Sequence, residues 1–136
     1  MATAISVNVN SLAAAAPSPL TGSRSCGASS AETATASAYS PGLQVEAQRL
    51  VFTSGQVPED AEGNLVGEGD FEAQARQVFA NIRAIMQQAG GDLSNVVKLT
   101  VFLTDMANFP TYSKIRGELL SKPYPVSTLV QVSSLV

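Results

Sequence analysis

The stretch from Asp70 to Ala89 constrains the fold more than any other part of this chain. Phe71, Ala75, Val78, Ile82, Ile85 and Ala89 recur at spacings of three and four, which draws one apolar stripe along a helix. Asp70 is placed to cap the first turn, and Gly90-Gly91 to close the last with positive φ. Arg76, Gln77, Arg83 and Gln87 fall largely on the opposite face. Such a stripe must be buried against a second layer. The segment Val96 to Thr104 offers one, with Val97, Leu99, Val101 and Leu103 on one face and Lys98, Thr100, Phe102 and Thr104 on the other. Phe102 is the apolar exception on the outer face, and it implies that this face is covered too, for instance by another subunit.

The remaining elements follow from local chemistry. Leu43 to Val45 reads as a short first strand, and Arg49-Leu-Val-Phe-Thr-Ser54 as a second that ends at Gly55. Glu59 to Asn64 is a polar turn-rich loop, after which Leu65 to Gly67 can pair briefly. Asp105 or Asn108 starts a second helix with Pro110 in its first turn, and Phe109, Tyr112, Ile115 and Leu119 line its inner face. Pro123 and Pro125 end that helix and deliver the chain into a final strand that runs toward Val136. From Ser37 the order is therefore β-β-(β)-α-β-α-β. It predicts an α+β sandwich with both helices on one face of the sheet.

Composition narrows the chemistry. The chain has 136 residues, 45% of them apolar, which fits one globular domain. A net charge of −3 with no basic cluster argues against a nucleic-acid partner. There is no histidine and only one cysteine, Cys26, so a histidine metal site, a Ser-His-Asp triad and an intrachain disulfide are excluded within one chain. Acid–base work falls to Asp, Glu, Lys, Tyr or a bound water. No apolar run approaches the ~18 residues of a membrane span, and neither a metal nor a cofactor is implied.

Residues 1–36 differ in composition from the rest. They are dominated by Ala, Ser and Thr, with Arg24 and Glu32 as the only charges. The expectation is a segment without a packed core, read as a disordered tail, an organelle transit peptide or a secretory signal. Residues 37–136 form the expected domain. A cytoplasmic location goes with the tail reading, a plastid or mitochondrion with the transit-peptide reading.

Four segments, in order, resemble the RidA/YjgF family: Ser37-Ala-Tyr-Ser-Pro-Gly42, Phe52-Thr-Ser-Gly-Gln-Val-Pro58, Val97-Lys-Leu-Thr-Val-Phe-Leu103 and Pro125-Val-Ser-Thr-Leu-Val130. The resemblance covers nearly all of 37–136. It implies the chorismate-mutase-like fold, a homotrimer associated through its sheets and small-molecule pockets between subunits. It also implies a relation to deaminases that hydrolyse reactive imines or enamines of amino acids to 2-oxo acids and ammonia. By the same resemblance Tyr39 and Ser54 match residues that line the family pocket. The family's carboxylate-binding arginine falls on Ser127, and its water-positioning glutamate lies in a further strand beyond the Leu-Val motif. The expectation is thus a domain lacking the final family strand, from an arginine-lacking branch, weak or inactive on 2-imino acids. The alternative is a non-catalytic trimer that binds a small metabolite or a protein. Lys98 and Arg116 are candidate substitute cations, with solvated surface positions as their simpler account.

Overall fold

The computed structural model describes residues 3–13, 23–25, 39–47 and 49–135. In chain order it contains β1 (Ile5–Ala13), β2 (Ser23–Ser25), β3 (Gln44–Glu46), β4 (Arg49–Phe52), α1 (Phe71–Gln88), β5 (Val96–Leu103), α2 (Phe109–Leu119) and β6 (Val126–Gln131). A four-stranded mixed sheet has the order β4-β1-β5-β6, and β2 pairs separately with β3. Strand β1 runs antiparallel to β4 and β5, whereas β6 runs parallel to β5. The two helices pack on a small mixed sheet, as the pattern after Ser37 requires.

Helix α1 forms as its sequence dictates. The Asp70 side chain accepts a hydrogen bond from the Ala73 amide at 3.1 Å, and Gly90 follows the last turn with φ +86°. The buried face differs slightly from the expected stripe. Phe79 and Met86 are fully enclosed with Ala75, Val78 and Ile82, while Ile85 is only half-buried. On α2 the Asp105 carboxylate caps the preceding 3-10 turn, and Tyr112 and Ile115 are buried. Phe109, expected on the inner face, is 40% exposed, and Arg116 is buried in the same helix instead. Tyr112 stacks on Phe79 of α1 with ring centroids 6.3 Å apart, which joins the two helices over the sheet.

The largest departure from expectation is β1. Ile5 to Ala13 was expected in a segment without structure, yet it is a central strand. The physical reason is visible in Ile5-Ser-Val-Asn-Val-Asn10, where Ile5, Val7 and Val9 alternate with polar residues. All three are fully buried in the core with Leu99, Val101 and Leu103 of β5. The start of β1 is also fixed to α1, because the buried Gln74 side chain accepts from the Ala4 amide at 2.8 Å and donates to the Gly67 carbonyl at 3.0 Å. Strand β5 is flanked on both sides, by β1 and by β6. Other parts of 1–36, with the tail or targeting readings attached to them, lie outside the described residues apart from β2, Thr3 and Ala4.

Candidate functional site

The terminal strand positions the site. Its pairing with β5 sets Ser127 opposite Leu99, on the sheet face that carries the helices. The preceding turn is held by the 39–42 segment: the Ser40 amide donates to the Pro125 carbonyl at 3.2 Å, and the Ser40 hydroxyl donates to the Tyr124 carbonyl. These two bonds bring the neighbouring Tyr39 to the beginning of β6. Helix α2 supplies the third component. Tyr112 and Arg116 are one turn apart, so both project toward the same part of the sheet.

The result is a cluster centred on Arg116, whose residue is only 3% exposed. Its guanidinium carbon lies 5.3 Å from the Tyr112 ring centroid and 5.9 Å from that of Tyr39. Its Nη1 donates to the Ser127 hydroxyl at a long 3.4 Å, and its buried Nε has no hydrogen-bond partner among the described residues. The buried Tyr112 hydroxyl also lacks a well-aligned partner. Burial pushes the Tyr112 phenol up to about 12, although the Arg116 charge and the nearby Ser127 oppose the rise. Tyr112 therefore stays neutral and can donate a proton in a hydrogen bond throughout the ordinary pH range.

This arrangement is short of acceptors. An arginine has five N–H donors and accepts nothing, and a hydroxyl that accepts from it retains its own proton for donation. Among the described residues no carboxylate forms an ion pair with Arg116. Glu118, nearby in α2, is instead bound by Arg76 at 2.8 Å and approached by Lys114 at 3.9 Å. The Arg76 hydrogen bond holds the Glu118 carboxyl below the usual carboxylate range. Stacking on two rings returns roughly 0.5–2 kcal/mol. Burying an unpaired ion costs several kcal/mol. The cation is therefore undercompensated among the described residues.

Of the residues singled out from sequence, Tyr39 and Ser127 meet at Arg116. Ser54 does not join them. It is exposed just beyond β4, at the sheet edge opposite β6, and its carbonyl accepts from the Gln56 side chain at 3.3 Å. Three strand spacings, roughly 14 Å, separate those edges. Lys98 is exposed, as its alternation with Val97 and Leu99 anticipates. Arg116 departs from its simpler, solvated account. The signal for its burial is its place between Tyr112 and Leu119 on the inner face, next to Ile115. Near Ser54 there is a separate open groove of about 430 Å³ lined by Gly55, Gln56, Val57, Glu59, Asp60, Ala61 and Asn81. Among the described residues no group of three His, Cys, Asp or Glu side chains is placed to hold a metal, and no helix is long and apolar enough to cross a membrane.

Comparison with known proteins agrees with this architecture. The model of the Endoribonuclease L-PSP family matches residues 29–136. The protein DfrA of Myxococcus xanthus is 38% identical over 97 residues, covering 71% of this chain and 74% of that protein. A 2-iminobutanoate/2-iminopropanoate deaminase of Dermatophagoides farinae is 30% identical over 97 residues, again 71% of this chain and 74% of that protein. The crystal structure of RidA from an Antarctic Psychrobacter is 46% identical with a TM-score of 0.57, over 60% of this chain and 66% of that one. A Rid-family protein of Yersinia pestis, YyfB, is 27% identical with a TM-score of 0.66, over 72% of this chain and 76% of that one. With the family motifs, the two-helix mixed sheet and these relatives in agreement, the chain belongs to the RidA/YjgF family.

Proposed function

We propose that this protein hydrolyses small 2-imino or enamine acids, at a rate reduced by the serine at position 127. Water adds to the carbon of the C=N bond, the nitrogen leaves as ammonia, and a 2-oxo acid remains. The observation that carries this reading is the meeting of Tyr39 and Ser127 around a buried cation, in a chain 30% identical to an imine deaminase. A serine hydroxyl offers one neutral donor, whereas an arginine at the same position offers a charged bidentate pair. With charge-assisted bonds worth about 1.5–3 kcal/mol and neutral ones roughly half, carboxylate binding through position 127 weakens by about 10- to 100-fold. An amino-acid oxidase coupled assay that scores semicarbazone formation against hydrolysis tests the proposal. The expected result is turnover at least about tenfold below a relative with arginine at this position. A rate equal to that relative's removes the argument from Ser127, and a rate indistinguishable from buffer removes hydrolysis.

A second reading has its own support. The cluster around Arg116 contains no Asp or Glu among the described residues to orient an attacking water, which favours a pocket that binds a metabolite without turning it over. The same assay separates the two readings.

We further propose a homotrimer associated through the outer face of the sheet. Leu50 and Phe52 of β4 are 53% and 67% exposed, Val130 of β6 is 42% exposed, and Phe102 of β5 is half-buried. Register places Phe102 beside Val130 and opposite Ser6, on the face away from the helices. Association of copies also gives Ser54 of one chain a route to the Ser127 region of another, which a single chain keeps at opposite edges. Native mass spectrometry is expected to give a trimer that Phe52→Ser shifts toward monomer. A monomeric wild-type protein rules this assembly out.

A further inference from the structure

We infer that Arg116, rather than any residue of the terminal strand, is the anion anchor of this site, and that it selects ligands carrying a carboxylate. This inference rests on the reading above for the ligand's class, a small 2-oxo or 2-imino acid, but it does not require turnover.

Three observations converge. Arg116 is 3% exposed, yet no acidic side chain of the described residues pairs with it. Among the described residues its buried Nε has no hydrogen-bond partner, and the buried Tyr112 hydroxyl has only poorly aligned ones in Arg116 and Ser127. The Arg116 guanidinium donates to the Ser127 hydroxyl only at a long 3.4 Å. Each of these groups is a donor, and they lie on two elements, α2 and β6, that converge at one point. A group that satisfies them must bring several lone pairs and a negative charge in a small volume. A carboxylate does so, because its two oxygens accept from the guanidinium fork while leaving lone pairs for a hydroxyl. A neutral amide or ester offers fewer lone pairs and no charge to offset the buried cation.

The surroundings point the same way. Tyr39, 46% exposed, lies over the guanidinium as its outer layer, tied through Ser40 to the Tyr124–Pro125 carbonyls. Tyr112 holds the inner side and stacks on Phe79. The helix end gives only a fractional negative charge near Arg116, which partly offsets its positive one. The small side chain of Ser127 is what leaves the guanidinium room here. A second arginine at that position would set two like charges within a few ångströms of each other. Position 127 and position 116 thus act as one unit, with the cation carried by the helix instead of the strand.

The test uses two stable probes with the full-length protein: 2-oxobutanoate and its uncharged methyl ester, with binding measured by calorimetry or NMR titration. The wild-type protein is expected to bind the acid about 10- to 100-fold more tightly than the ester. In Arg116→Met this ratio falls to about one, because affinity for the acid drops far more than affinity for the ester. A merely structural role would weaken both probes together. Should Arg116→Met fail to fold, Arg116→Lys keeps the charge and is expected to keep most of the ratio. Equal binding of both probes by the wild type, binding of neither, or a ratio that survives in folded Arg116→Met overturns the inference. Hydrolysis is read separately: a protein that discriminates acid from ester without releasing ammonia retains the anchor and loses the enzymatic reading. One that releases ammonia without discriminating does the reverse.

Discussion

Removal of residues 1–13 is expected to abolish cooperative folding of the domain. Ile5, Val7 and Val9 are fully buried, and each contributes on the order of 1.5–3 kcal/mol by leaving water. Their sum, roughly 5–9 kcal/mol, is comparable to the whole stability of a typical domain. The loss is deeper than the side chains alone, because β1 lies between β4 and β5 and bonds to both. Deletion leaves two inner strand edges unpaired and removes the Ala4 amide that the buried Gln74 side chain accepts from. Thermal denaturation followed by circular dichroism reads the result directly. The truncated chain should show no sharp transition and should expose apolar surface to a hydrophobic dye. A melting curve close to that of the full chain would falsify the central role assigned to β1.

Gly67→Ala should be more damaging than alanine at Gly42, Gly55, Gly63, Gly69 or Gly90. Gly67 has φ +73°, and a Cβ added there would lie 2.7 Å from the Ala73 Cβ and 3.0 Å from the Gln74 amide nitrogen. Neither can retreat, because both belong to the first turns of α1. The Gly67 carbonyl is fixed as well, accepting from the Asp70 amide at 2.9 Å and from the Gln74 side chain at 3.0 Å. The left-handed backbone costs about 1–2 kcal/mol for a residue with a Cβ, and the clash raises the total to roughly 2–4 kcal/mol. That corresponds to a fall in Tm of roughly 10 °C. Gly63→Ala is the matched control: its φ is +82°, but nothing lies within 4 Å of the added Cβ. It should lose only the backbone part, about 1–2 kcal/mol. Equal shifts for the two variants would show that the tight junction before α1 tolerates an extra methyl.

How much of this was legible in sequence depended on the range of the interactions involved. Helix α1 could be read because its cap, stripe and closing glycines lie within about twenty residues and agree with one another. Strand β5 was equally plain, since burial follows its alternation from Val97 to Leu103. Strand β1 was not. Its three apolar residues alternate over only five positions, in a segment otherwise rich in Ala, Ser and Thr. Pairing with β5, between 85 residues (Ser11 to Val96) and 98 residues (Ile5 to Leu103) away, decides its conformation, and local propensity carries no record of that partner. Arg116 escaped for a related reason. A charged residue near a helix end is ordinarily solvated, and the aromatic rings that cover this one come from two separated segments. Phe109 shows the opposite error: its spacing suits the inner face, but at the first position of α2 it remains partly in solvent. The resemblance alone set Ser127 against a family arginine, and nothing local in the sequence showed that Arg116 stands opposite it in space.

The register around β5 has a consequence for the path of the chain. Ile5 and Gln131 both pair with Leu103; the Thr104 amide donates to the Ala4 carbonyl, and the Val132 amide donates to the Leu103 carbonyl. Two strands on either side of a third are about 10 Å apart, a gap that three or four extended residues span. Around β5 the backbone therefore almost closes on itself as a ring. What makes β1 central is the slot it occupies, and that slot is as near to the end of β6 as a short turn would be.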